Sequence, residues 1–177
     1  MKCTGGGNTA MPTTQTLRHP LAYLARATKR PESLIVADAV ETALAAMDRF
    51  EFDLVLFPVN YILYCQANLG PQVVKKAREK GMGCLALKSL ALTTSTADSK
   101  KQFPKCWYKS ISDPAQASLA LRLTLSEGVT ALLPPGEEQL FRVALDAAEK
   151  FTPISRKERE QLRASSEGPE SVFRLEG

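Results

Sequence analysis

Residues 53–59 read DLVLFPV, with no polar side chain between Leu54 and Val59. A strand with one face in water alternates apolar and polar residues, so an unbroken apolar run predicts a parallel strand covered on both faces. Upstream, SLIVA (33–37) is a shorter β-branched run, and Asp38 with Glu41 forms a capping-box pattern ahead of VETALAAMDRF. Ala43, Leu44, Met47 and Phe50 share one face of that expected helix. Downstream, Gly70 and Pro71 open QVVKKAREKG, with proline suited to the first helical position and Gly81 to the C-terminal cap. GCLAL (83–87) reads as a third strand and VTALLP (129–134) as a fourth. The stretch EEQLFRVALDAAEKF (137–151) is an amphipathic helix with Leu140, Ala144, Ala147 and Phe151 on one face, stopped by Pro153.

The remaining segments are less regular. SLALTTSTADSKKQFPKCWYKSIS (89–112) is too polar and uneven for an element and reads as a long loop, a kind that is usually functional or mobile. Asp113 and Pro114 announce a helix over AQASLALRLTLSEG, although Leu119, Leu121, Leu123 and Leu125 alternate with the period of a strand. The start signal decides for the helix. Residues 1–32 are expected to be a partly disordered leader, Gly/Thr-rich and then helix-like in LRHPLAYLARATKR; residues 33–153 form the body; residues 154–177 are a charged tail with a helical turn or two and a frayed end. Four βα units in succession imply an α/β fold with parallel strands and right-handed crossovers.

Composition narrows the function classes. At 177 residues and 44% hydrophobic content the chain can bury a real core. No run approaches the ~18 apolar residues of a membrane helix, and MKCTGGGNTAMPTTQT lacks the apolar core of a secretory signal, so the expectation is a cytoplasmic protein without membrane partners. An organelle transit segment is the less favoured reading of the basic, acid-poor start. Cys3, Cys65, Cys84 and Cys106 lie far apart with no CxxC pair, which predicts free thiols and no metal site. The formal charge of +4 comes from the first 37 residues, which hold five basic side chains against one acidic. No basic stripe or aromatic RNA-binding motif accompanies it, so no nucleic-acid partner is expected.

RFEFDLVLFPVNYILYCQ, GPQVVKKAREKGMGCLALKSLA, the KCWY segment and ALRLTLSEGVTALLPPGEEQLFRVAL together resemble, in order and spacing, the C-terminal half of an aldo-keto reductase over about residues 40–152. That resemblance implies a partial (β/α)8 TIM barrel, a half-barrel of about four βα units corresponding to strands five to eight. It also implies NADP(H)-dependent reduction of a small-molecule carbonyl substrate. The family takes its catalytic Asp, Tyr, Lys and His from earlier strands, for which this chain has no counterpart. His19, Tyr23, Tyr61, Tyr64 and Tyr108 stand outside the catalytic motif, so no catalytic residue is assigned and the chain reads as truncated. LIVADA stands where relatives carry a Gly-Phe-Ser-like segment, and Leu56 where many carry a glutamine; both family features hold the nicotinamide.

By the same resemblance the cofactor's phosphate end falls on two loops. Lys88, Ser89 and Leu90 follow the third strand and would lie near the pyrophosphate; Pro134, Pro135 and Gly136 follow the fourth, near the adenosine ribose. Glu137 and Glu138 favour a helix N-terminus but repel a phosphate placed there, unless Arg142 reaches back. Asn60 matches a family asparagine, with a capping role preferred; Trp107 and Tyr108 either line a substrate loop or, preferably, pack it down. A half-barrel leaves strand edges and one sheet face bare, which implies self-association or a partner chain supplying the missing half, or an open sheet. The competing reading is a non-catalytic nucleotide-binding or protein-interaction module.

Overall fold

The computed structural model describes residues 34–36, 39–95 and 102–168. In chain order the elements are β1 (Leu34–Val36), α1 (Val40–Arg49), β2 (Leu54–Pro58), α2 (Tyr61–Ala67), α3 (Pro71–Glu79), β3 (Gly83–Leu87), β4 (Ala91–Thr94), β5 (Tyr108–Ser110), α4 (Pro114–Ser126), β6 (Ala131–Leu132), α5 (Glu138–Glu149) and α6 (Arg156–Ser165). From Ile35 onward the described residues belong to one compact unit. It is a mixed α/β fold. The main sheet has the order β1-β2-β3-β6, and β2, β3 and β6 run parallel. Register runs from Leu54 opposite Gly83 to Pro58 opposite Leu87, and Ala131 lies opposite Leu85.

This register sorts the apolar runs into two faces. Val55 and Phe57 lie beside Cys84 and Ala86, all buried in one core with Ala43 and Met47 of α1 and Val73 and Ala77 of α3. Leu54, Leu56, Leu85 and Leu87 point the other way and are only partly buried. The expectation of burial on both faces therefore holds fully for one face and half for the other. A second core gathers the loop after β3 with α2, α4, α5 and α6, through Ile62, Leu90, Leu121, Leu140 and Leu162.

Helix starts follow their signals at α3 and α4. Pro71 is the first helical residue of α3, and Gly81, just past the end, has φ +67, a left-handed conformation cheap only for glycine. Asp113 caps α4 by accepting from the Gln116 N–H at 2.9 Å. Ala117, Ala120, Leu121 and Thr124 form its buried stripe at helical spacing, while Leu119 and Leu125 are half-exposed. The leucine alternation thus carries no strand.

Other expectations are corrected. The N-cap of α1 is Ala39, which makes no side-chain hydrogen bond, and Val40, Ala43 and Met47 are the buried residues of that helix; Asp38, expected to cap it, lies outside the described residues, as does the leader. Phe50 is the C-cap of α1 and is 61% exposed, its ring edge-on to Phe52. Phe151 is likewise exposed, beyond the end of α5. The expected loop at 89–112 contains the antiparallel pair β4·β5, with a register shift between Ala91 and Thr93. Helix α2 was not anticipated, and the strand expected over 129–134 is only two residues long, Ala131–Leu132.

Helix α6 is longer than the turn or two expected of the tail. Ser155 and Glu158 close a full capping box, and Leu162 is buried. Arg122 of α4 fixes its start: Nη1 donates to Glu158 Oε1 at 2.6 Å and Nη2 to Oε2 at 3.0 Å, while Nε and Nη2 donate to the carbonyls of Thr152 and Pro153. A bidentate guanidinium–carboxylate pair holds both partners in one geometry. The described residues contain no helix long and apolar enough to cross a membrane.

The Arg122 guanidinium, with the Ser155 N–H and hydroxyl, holds the Glu158 carboxyl down at about 2. The stabilisation is complete above the ordinary carboxyl range and is lost as pH falls toward the folded value. The thermal midpoint should fall from pH 5 toward pH 2, and Glu158→Gln should start lower at neutral pH and lose less across that interval, as followed by circular dichroism.

Candidate functional site

The C-terminal edge of the parallel sheet is where open α/β folds place ligands. There the Val59 N–H donates to the Leu87 carbonyl at 3.0 Å, continuing the β2–β3 ladder by one step. The Val59 carbonyl accepts from the Ser89 hydroxyl at 3.1 Å and from the Thr124 hydroxyl at 3.2 Å. Asn60 is next, 1% exposed; its Oδ1 accepts from the Leu63 N–H at 2.9 Å and caps α2. The capping role expected of Asn60 is therefore present. Its Nδ2 is buried without a hydrogen-bond partner among the described residues. A buried unpaired amide of this kind costs about 1–3 kcal/mol, which marks it as a position to explain.

Lys88 sits at the end of β3 with φ +66, a left-handed backbone uncommon for a residue with a Cβ. Its Nζ lies 4.7 Å from the centroid of the Trp107 ring and 4.3 Å from that of Tyr108, and the two rings meet edge to face at 5.3 Å. Burial beside these rings pushes the lysine pKa below its ordinary value. The ring faces attract the cation and oppose that shift in part.

The other residues expected at the site are placed differently. Ser89 is buried, and its hydroxyl proton is engaged by Val59, so it is not a free donor. Leu90 is fully buried in the second core and supports the loop from beneath. Pro134 is half-buried and Pro135 buried, while a Cβ at Gly136 would meet nothing within 4 Å. Close packing does not require glycine there. Arg142 pairs with Glu138 one turn before it, Nη2 to Oε1 at 2.7 Å, with both side chains largely exposed. The two loops are tied indirectly, because Glu137 Oε1 accepts from the Lys105 N–H at 2.5 Å, next to the Cys106-Trp107 segment.

No group of His, Cys, Asp and Glu among the described residues could hold a metal ion, and Cys65, Cys84 and Cys106 are free. Burial raises the Cys84 thiol to about 11, which leaves it a protonated core residue. Elsewhere, Tyr64 of α2 donates to Glu127, which also accepts from Arg159 of α6 at 2.5 Å, and beside this cluster opens a cavity of about 380 Å³. Sequence reasoning missed this cluster because its bonded pairs lie 63 and 32 residues apart in the chain. The only signal was the arginine spacing 156, 159, 163 in the tail. Compared with known proteins, the chain matches no family model and no curated protein.

The half-buried lysine can be checked directly. In the reductively methylated protein, the Lys88 resonance should titrate with a midpoint below the ordinary lysine value, as read by carbon-13 NMR and assigned with Lys88→Arg.

Proposed function

We propose that this chain is an aldo-keto-reductase-like half of a (β/α)8 barrel that binds NADP(H) at the crest after β3 and β6, and that it reduces no carbonyl by itself. The observation carrying this reading is Lys88, a half-buried cation at the C-terminal end of a central parallel strand. Strand order β1-β2-β3-β6, with helices between successive strands, supports the half-barrel. Loops after the last strands of such barrels commonly hold phosphate. Lys88 would supply a point charge to the pyrophosphate. The adenosine end would lie along Pro134, Pro135 and Gly136. Arg142 would reach it by leaving Glu138, and an exposed ion pair opposes that by no more than about 1 kcal/mol.

When bound, the cofactor supplies a hydride to the carbonyl carbon of an aldehyde or ketone. The proton for the carbonyl oxygen would come from another chain, because no Asp, Tyr, Lys and His set is assigned in this sequence. Absence of such acid–base groups removes about 10²- to 10⁴-fold of rate.

Trp107 is the single tryptophan of the sequence and stands beside Lys88, so its emission reports on the crest. NADPH titrated into the full chain should quench it saturably in the micromolar range, without oxidation of NADPH when a generic aldehyde is added. Lys88→Gln should raise the midpoint about tenfold, the equivalent of about 1.4 kcal/mol. A flat titration would sink the cofactor reading.

A second reading, an interaction module, is favoured by the partly covered face of Leu54, Leu56, Leu85 and Leu87, together with the 39% exposed Leu133. A second copy, or a chain supplying the missing strands, would cover it. Light scattering should then give a mass above the monomer that Leu133→Lys returns to the monomer value. A wild-type chain that stays monomeric at high concentration removes self-association.

A further inference from the structure

The cavity between α2, α4 and α6 lies apart from the crest and is of ordinary ligand size, about 380 Å³. Four of its lining residues, Arg156, Arg159, Glu160 and Arg163, come from α6. Their spacing of three, four and seven puts them on one helical face. Leu123 of α4 and Tyr64 of α2 supply an apolar wall opposite. The chemistry of the lining is therefore mixed: guanidinium groups along one side and a hydrocarbon and aromatic surface along the other.

The three arginines are not equivalent. Arg159 is committed to Glu127, a carboxylate that also accepts from Tyr64 and is 14% exposed, so this pair is a fixed strut. Arg156 pairs with Glu160 at 3.1 Å, but the arginine is 93% exposed and the pair is an i,i+4 surface contact. Such a pair is weak and opens readily. Arg163 makes no ion pair among the described residues. The fields of Arg163 and Arg159 reach Cys65 on the cavity wall, where both act against the rise that burial imposes on the thiol. With Glu127 and Glu160 each neutralising one arginine, the cavity keeps an uncompensated guanidinium at Arg163 and a second that is easily freed at Arg156.

We propose that this cavity binds a small phosphomonoester, its phosphate held by Arg163 and Arg156 and its apolar body laid against Leu123 and the Tyr64 ring. Guanidinium groups suit this ligand because their paired N–H groups match two phosphate oxygens at once, and a lysine wall would not. Arg159 positions the site without binding the ligand, since releasing it would leave Glu127 buried with one partner fewer. The competing explanation is that Arg163 only complements the C-terminal end of the α6 dipole, as basic residues in a last turn do.

Calorimetric titration of the full chain with inorganic phosphate and with phenyl phosphate separates these readings. Phenyl phosphate should bind at least tenfold more tightly than inorganic phosphate, because it alone reaches the apolar wall. Arg163→Gln should weaken phenyl phosphate about tenfold or more while leaving the circular dichroism spectrum and thermal midpoint of the unliganded chain nearly unchanged. Arg163→Lys should recover only part of the loss. Lys88→Gln should leave phenyl phosphate binding as it is, which separates this site from the crest and makes its failure distinct from failure of the cofactor reading. Absence of saturable phenyl phosphate binding, unchanged binding in Arg163→Gln, or loss of binding in Lys88→Gln would each overturn the proposal.

Discussion

The carbonyl of Val59 is the joint on which the two cores meet. It stands one residue past the end of β2, where a ladder partner is no longer available, and it is buried. An unpaired carbonyl there would carry a desolvation cost of about 1–3 kcal/mol. Two hydroxyls remove it: Ser89 from the loop after β3, and Thr124 from α4. Thr124 also donates to the Ala120 carbonyl of its own helix, so its hydroxyl is shared between helix and sheet. One oxygen thus sets where the third-strand loop leaves the sheet and how far α4 lies along it. The positive φ of Lys88 follows from this, since the chain must turn at once after Leu87 for Ser89 to face back toward Val59.

The second core depends on a comparable device at its far side. Arg122 gives four hydrogen bonds, two to backbone carbonyls of the segment before α6 and two to the carboxylate of Glu158. Helix α6 buries a single residue, Leu162, so packing alone gives it little. Its position is therefore set by charge and capping more than by hydrophobic burial. That also explains why its charged face is available to line a cavity: the helix is held at its N-terminal end and by the Glu127–Arg159 pair, while Arg156 makes only an exposed pair with Glu160 and Arg163 makes no ion pair among the described residues.

The parts of this fold that could be read from the sequence are those governed by nearby residues. The continuous apolar runs at 53–59 and 83–87 gave the strands Leu54–Pro58 and Gly83–Leu87, and Asp113-Pro114 decided α4 against a competing strand pattern. What escaped was non-local. The strands β4 and β5 are four and three residues of mixed polarity, and their pairing spans a segment with no turn signature. Helix α2 was hidden because YILYCQA is as apolar and β-branched as a strand end, and only the Asn60 cap separates it from β2. Phe50 and Phe151 fit an apolar helical face by number, but each falls at or past a helix end, where the face has no partner. At the crest, the sequence placed Lys88 directly after a strand, as the structure has it, but carried no information on which side chains were already engaged.

That engagement constrains any chemistry at the crest. The Ser89 hydroxyl is taken by Val59, Glu137 by the Lys105 amide, and Arg142 by Glu138. Among the described residues the Lys88 ammonium lies over the Trp107 and Tyr108 ring faces, and the buried Asn60 amide has no hydrogen-bond partner. Both are donors, one charged and one neutral, at adjacent strand ends. A negatively charged group suits the Lys88 ammonium and a cation does not, whereas the Asn60 amide is sealed from solvent. The acidic side chains at the start of α5 lie on the other loop, and Glu137 is turned to the Lys105 amide, so its charge is partly neutralised at the place where it would oppose an anion. The polarity of the crest therefore follows from how the fold uses up its other polar groups, and for Ser89 that allocation rests on Val59.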